Sequence, residues 1–139
     1  MKRISTLLFL IVNLTLYGQT KNGIEGNKLL VNIETVNKIY IAAYCSPIDS
    51  CRGTQYQLHH TMVEDLINRL NKSNLKDSCN FSEEYLLYIH LKDGTIKKFK
   101  INRSSIEGSN DRCFNIGDSG YFKNLWLVLD KEWIELNKK

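Results

Sequence analysis

Tyr85 to Asn102, YLLYIHLKDGTIKKFKIN, constrains the fold more than any other stretch of the chain. Two runs of alternating apolar and polar residues flank Lys92-Asp93-Gly94, a pattern that predicts a β-hairpin. A three-residue loop sets Leu91 opposite Thr95, Ile89 opposite Lys97, Leu87 opposite Phe99 and Tyr85 opposite Ile101. Leu87, Ile89, Leu91, Phe99 and Ile101 then share one face, as the period of two requires. Gly94 falls at the left-handed position of a type I turn with a G1 bulge, where a residue without Cβ is favoured. A two-residue Asp-Gly loop would instead set Leu87 against Lys100 and Ile89 against Lys98, splitting the apolar face. The three-residue loop is the expected one. The opposite face of the hairpin then carries Leu86, Tyr88 and His90 on one strand and Ile96, Lys98 and Lys100 on the other.

The rest of the chain supplies partners for this hairpin. In Lys38 to Cys45, Ile39, Ile41 and Ala43 alternate with Tyr40, Ala42 and Tyr44, as in a strand. Ser46-Pro47-Ile48-Asp49-Ser50 is turn chemistry, and Thr54 to His59 returns as a second strand. Thr61 and Glu64 have capping-box spacing and predict a helix from Met62 to Asn71. Its buried stripe is Met62 or Val63, then Leu66, Ile67 and Leu70. Ser104 to Asp111 reads as a loop and Cys113 to Ile116 as a short strand. Asp118 or Ser119 can cap a last helix over Gly120 to Leu129, with Phe122, Leu125, Trp126, Leu129 and, beyond it, Trp133 on one face. This order predicts an α+β domain, an antiparallel sheet of four to five strands with two helices packed on one face.

The first residues have the form of an export signal. Lys2 and Arg3 precede the apolar run Leu7 to Val12, and Gly18 is a small residue after which cleavage can follow. The run falls short of the ~20 residues that a membrane-spanning helix needs. No cysteine precedes Cys45, so no lipid-attachment site follows the signal. The expected organisation is a signal peptide at 1–18, a loose lead-in at 19–28 and one α+β domain at 29–139, secreted or periplasmic. Setting aside Lys2 and Arg3 lowers the net charge from +4 to +2. That is too little for a nucleic-acid partner.

Cys45, Cys51, Cys79 and Cys113 all lie beyond the signal, and an even number in a small exported chain reads as two disulfides with three possible connectivities. The favoured pairs are Cys45–Cys51 and Cys79–Cys113. In the chain-entropy account the short loop contributes roughly 2 kcal/mol and the longer one roughly 3–4 kcal/mol. Zinc would call for paired ligands such as C-x2-C, and the sequence has none.

Few residues invite a catalytic reading. Gly117-Asp118-Ser119-Gly120 is the tetrapeptide with which trypsin-like proteases present their nucleophile, and Ala42-Ala43-Tyr44-Cys45 resembles the segment around their histidine. Tyr44 stands where the base must be, and a phenol of pKa about 10 cannot take the serine proton at neutral pH. Adjacent His59 and His60 point apart in an extended segment, and His90 is a lone histidine on the outward face. No metal and no cofactor is expected. The outward face of the hairpin, with Tyr88, His90, Lys98 and Lys100, is the candidate binding surface for an acidic protein or a glycan.

The segment CNFSEEYLLYIHLKDGTIKKFKIN, followed by CFNIGDSGYFKNLW, resembles a group of small exported bacterial proteins of unknown function. The resemblance spans Cys79 to Trp126, about a third of the chain. It adds weight to the Cys79–Cys113 pair and implies no activity. The expected function is an exported, disulfide-stabilised, non-enzymatic binding module, an inhibitor or immunity protein of an extracytoplasmic enzyme or toxin. The alternatives are a hydrolase-type enzyme using Ser119 or a histidine, and an accessory or structural protein of the envelope.

Overall fold

The computed structural model describes residues 23–25, 28–44, 54–77, 82–108 and 111–138. In chain order its elements are β1 (Gly23–Glu25), β2 (Lys28–Leu30), β3 (Val36–Ala43), β4 (Gln55–Gln57), α1 (His60–Asn71) and β5 (Asn74–Lys76). They continue with β6 (Tyr85–Leu91), β7 (Ile96–Asn102), β8 (Ser105–Glu107), β9 (Cys113–Asn115) and α2 (Tyr121–Leu136). Strands β1 and β2 pair with each other. The remaining seven form one antiparallel sheet in the order β4-β3-β6-β7-β8-β9-β5.

The central hairpin forms in the expected register, with Tyr85 on Ile101, Leu87 on Phe99 and Ile89 on Lys97. Its turn is closed by Gly94 N–H donating to Leu91 C=O at 3.1 Å and Leu91 N–H to Thr95 C=O at 2.8 Å. Gly94 has φ +90°, the left-handed region that favours glycine. The backbone N–H of Thr95 also donates to the Asp93 carboxylate at 2.8 Å, and this bond holds the Asp93 pKa below its ordinary value.

Residues directly opposite across a ladder share a face, so the registers define the inner layer. One row runs Ala43, Tyr85, Ile101, Ile106, Phe114, Leu75 over six strands. With Ile39, Ile41, Leu87 and Ile89 it forms the apolar floor of the core. Leu66, Ile67 and Leu70 of α1 and Phe122, Leu125 and Leu129 of α2 are buried in the same cluster. Both helices therefore cover one face of the sheet. Trp126 anchors α2 against Tyr56 and Tyr85, with ring centroids 4.7 and 5.8 Å away. Tyr85, partly buried there, has its phenol pKa raised by burial and then by the charge of Glu84.

Several expectations are corrected. Among the described residues the sheet has seven strands rather than four or five, because β5 forms just after the expected helix end at Asn71 and β8 within the stretch that reads as a loop. Helix α1 starts at His60, two residues before the expected start at Met62, and its N-cap His59 makes no side-chain cap bond. Thr61 thus lies within the first turn, and Glu64 pairs with His60 at 3.5 Å. Helix α2 is capped by Gly120 without a side-chain bond, while Asp118 Oδ1 accepts from Gly120 N–H at 3.0 Å in the preceding turn. It runs to Leu136, past the expected end, and Trp133 is 47% exposed rather than on the buried face.

Candidate functional site

The face of the sheet away from the helices carries every residue of the candidate binding surface. Tyr88 lies opposite Lys98, Leu86 opposite Lys100 and His90 opposite Ile96. Strand β3 brings Tyr40 opposite Tyr88 and Lys38 opposite His90, and β4 adds Gln57 beside Tyr40. One outer row is thus Gln57, Tyr40, Tyr88, Lys98. Tyr40 was not among the sequence candidates, because which strand flanks the hairpin is set by long-range pairing that local alternation does not encode.

The contacts on this face separate its lysines. Lys98 Nζ sits 5.9 Å from the centroid of the Tyr88 ring, within cation–π range. The Tyr40 and His90 rings meet edge to face at 5.1 Å. Lys100 is instead paired internally, with Glu83 at 3.2 Å and Glu107 at 3.8 Å. Its hydrogen bond to Glu83, then the charges of Glu107 and Glu83, raise its pKa. Among the described residues no carboxylate pairs with Lys38 or Lys98. Ile96 is 55% exposed beside them.

The other chemistry-bearing residues are dispersed. His59 Nε2 and Glu132 form a surface pair at 2.7 Å that ties the start of α1 to α2. On the helix side, Arg69 pairs with Asp65 at 2.9 Å and with Asp118 at 3.6 Å, and lies 4.2 Å from the Tyr121 ring centroid. The bond to Asp65 raises the Arg69 pKa, and burial followed by the charge of Asp65 raises that of Tyr121. An apolar groove of about 280 Å³ runs between the helices beside them, lined by Met62, Tyr121, Leu125 and Val128. Each of these groups is accounted for by helix packing.

Ser119 lies in a separate polar hollow with Lys76, Ser82, Glu84, Arg103 and Ser105. No histidine lines it, so Ser119 has no imidazole to take its proton there. Tyr44, 40% exposed just beyond the end of β3, is not among the residues that line it either. Among the described residues no group of three or more His, Cys, Asp or Glu is placed to hold a metal ion, and no helix is long and apolar enough to cross a membrane. Cys113, 1% exposed, is not a free thiol. Cys45, Cys51 and Cys79 lie outside the described residues. No family model, no curated protein and no solved structure matches the chain.

Proposed function

We propose that this chain is an exported, disulfide-stabilised, non-enzymatic binding module, and that its outer sheet face takes an acidic extracytoplasmic protein in the manner of an inhibitor or immunity protein. The carrying observation is the outer row of Tyr40, Tyr88 and Lys98, flanked by Lys38 and His90, on the face opposite both helices. Tyrosines give contact area at small entropic loss, and lysines without an internal carboxylate favour an acidic partner. A rigid sheet presents them without reorganisation, which lowers the free energy lost on binding. Lys100, neutralised by Glu83 and Glu107, is assigned to stability rather than to contact.

The Cys79–Cys113 pairing is supported by register. Cys113 lies opposite Lys76, three positions before Cys79, and is buried although its row belongs to the outer face. Cys45 and Cys51 both fall in the connection between the paired strands β3 and β4. Peptide mapping of the unreduced chain tests both bridges. Fragments joining Cys79 to Cys51 would remove this assignment.

The function is tested by capture from an extracytoplasmic extract, using the chain folded under oxidising conditions. The expected result is one acidic protein at near-equal stoichiometry, lost on Tyr88→Ala with Lys98→Glu while the fold is retained. A bound glycan would make the module a lectin-like binder instead. Turnover lost on Ser119→Ala or His60→Ala would make it an enzyme, and retention in the envelope fraction with neither result would favour a structural role.

A further inference from the structure

A second site, distinct from the outer tyrosine row, lies where the β7–β8 turn meets the segment before α2. Four stretches of chain converge on a polar hollow of about 450 Å³: the end of β5, residues 82–84, the turn at 102–105 and Ser119. Its lining holds two cations, Lys76 and Arg103, against one carboxylate, Glu84. Glu84 Oε2 accepts the backbone N–H of Arg103 at 3.3 Å, and Lys76 Nζ donates to Ser105 Oγ at 3.2 Å. Among the described residues no carboxylate pairs with the Arg103 guanidinium.

Arg103 occupies a backbone position that disfavours it. Asn102 pairs with Ser105, so Arg103 and Ser104 form a two-residue turn, and Arg103 has φ +51°. Glycine is the residue that such a position favours, and a branched or long side chain there strains the backbone. Strain of this kind, held at a cleft, points to a use for the side chain. The gain here is a guanidinium delivered to a hollow already lined by an ammonium and the hydroxyls of Ser82, Ser105 and Ser119.

We propose that this hollow binds a phosphate group, free or as the monoester of a hydroxylated carrier such as a sugar. The guanidinium supplies a planar fork of donors, the ammonium a second charge and the serines neutral donors. That donor set suits a tetrahedral oxyanion better than a neutral sugar, which would draw on acceptors and an aromatic platform. The hydroxyls of an attached carrier find Glu84 and Asn102 as acceptors at the rim.

The test titrates the full chain, oxidised, with inorganic phosphate, glucose 6-phosphate and glucose, following backbone amide shifts. The expected result is saturable shifts at Arg103, Ser104, Ser105 and Ser119 with the phosphate-bearing probes and none with glucose. Equal affinity for the two phosphate probes assigns the site to the free anion, and tighter binding of the ester to a phosphorylated carrier. Arg103→Gly should weaken binding by about tenfold or more while raising Tm, because it removes charge and strain together. Lys76→Met, which leaves the turn untouched, should weaken binding without that rise. Absence of saturable shifts with either phosphate probe, or affinity unchanged in both variants, overturns the proposal.

Discussion

The Asn71 side chain does the work of a strand. Its Oδ1 accepts the N–H of Val31 at 2.7 Å and its Nδ2 donates to the Val31 carbonyl at 2.9 Å. The buried Val31 backbone is thereby satisfied by a helix terminus 40 residues away. In the sequence Asn71 reads only as the last residue of the expected helix, since nothing local marks its partner. Asn71→Ala leaves both groups unpaired and should lower stability by about 1–3 kcal/mol, read as a reduced urea midpoint with unchanged m-value. Tyr56 is a second single-residue tie. Its hydroxyl donates to Asp130 Oδ1 at 2.5 Å, and burial, then that bond, push its pKa up to about 12. Folding favours the protonated phenol, so its stabilisation is complete below the unfolded value of about 10. It is lost as pH rises through about 12. A tyrosinate absorbance titration should show late ionisation by Tyr56 as well as by Tyr85 and Tyr121, and Tyr56→Phe should remove one phenol from that late group. Ionisation of Tyr56 together with the exposed tyrosines would contradict this account.

Among elements, the central hairpin was legible to the residue because β6 and β7 are each seven residues of clean alternation around one glycine-bearing turn. Gly94→Ala tests that reading. A Cβ at Gly94 meets nothing within 4 Å, so its cost is conformational, about 1–2 kcal/mol. Gly94→Asn should cost less, because asparagine tolerates the left-handed region; equal stability of Gly94→Ala and the parent in chemical denaturation would refute the turn assignment. The three-residue strands β5 and β8 escaped notice because two alternations cannot be told from loop. The helix starts were misplaced for another reason. Thr61 and Asp118 carry capping chemistry, yet tertiary contacts set the boundaries, with His59 held by Glu132 and Asp118 turned to Gly120 N–H and Arg69. The continuation of α2 to Leu136 carries Trp133, Ile134 and Leu136 exposed, so no buried stripe announced its length.

At the scale of the molecule, the two faces of the sheet differ in chemistry. The helix face holds the core, and the outer face holds Tyr40, Tyr88, His90, Lys38 and Lys98. Half of that face was legible: alternation put Tyr88, His90, Lys98 and Lys100 on one side of the hairpin. The other half came from β3 pairing with β6, a contact between segments far apart in sequence, and from the Glu83 and Glu107 carboxylates that remove Lys100 from the available charge. Because attraction between Lys38, Lys98 and an acidic partner is screened by salt, raising ionic strength should slow association more than it speeds dissociation. A salt-independent association rate would argue for a neutral partner.

The most direct test of the central claim compares the two faces in one binding measurement. The dissociation constant of the captured partner would be determined for the parent chain, for Tyr40→Ala with Tyr88→Ala, and for Leu127→Lys with Ile134→Lys on the exposed side of α2. The expected result is that the tyrosine pair weakens binding about thirtyfold or more, as for central interface anchors, and that the helix variant binds as the parent does. Binding lost in the helix variant and kept in the tyrosine variant would contradict it.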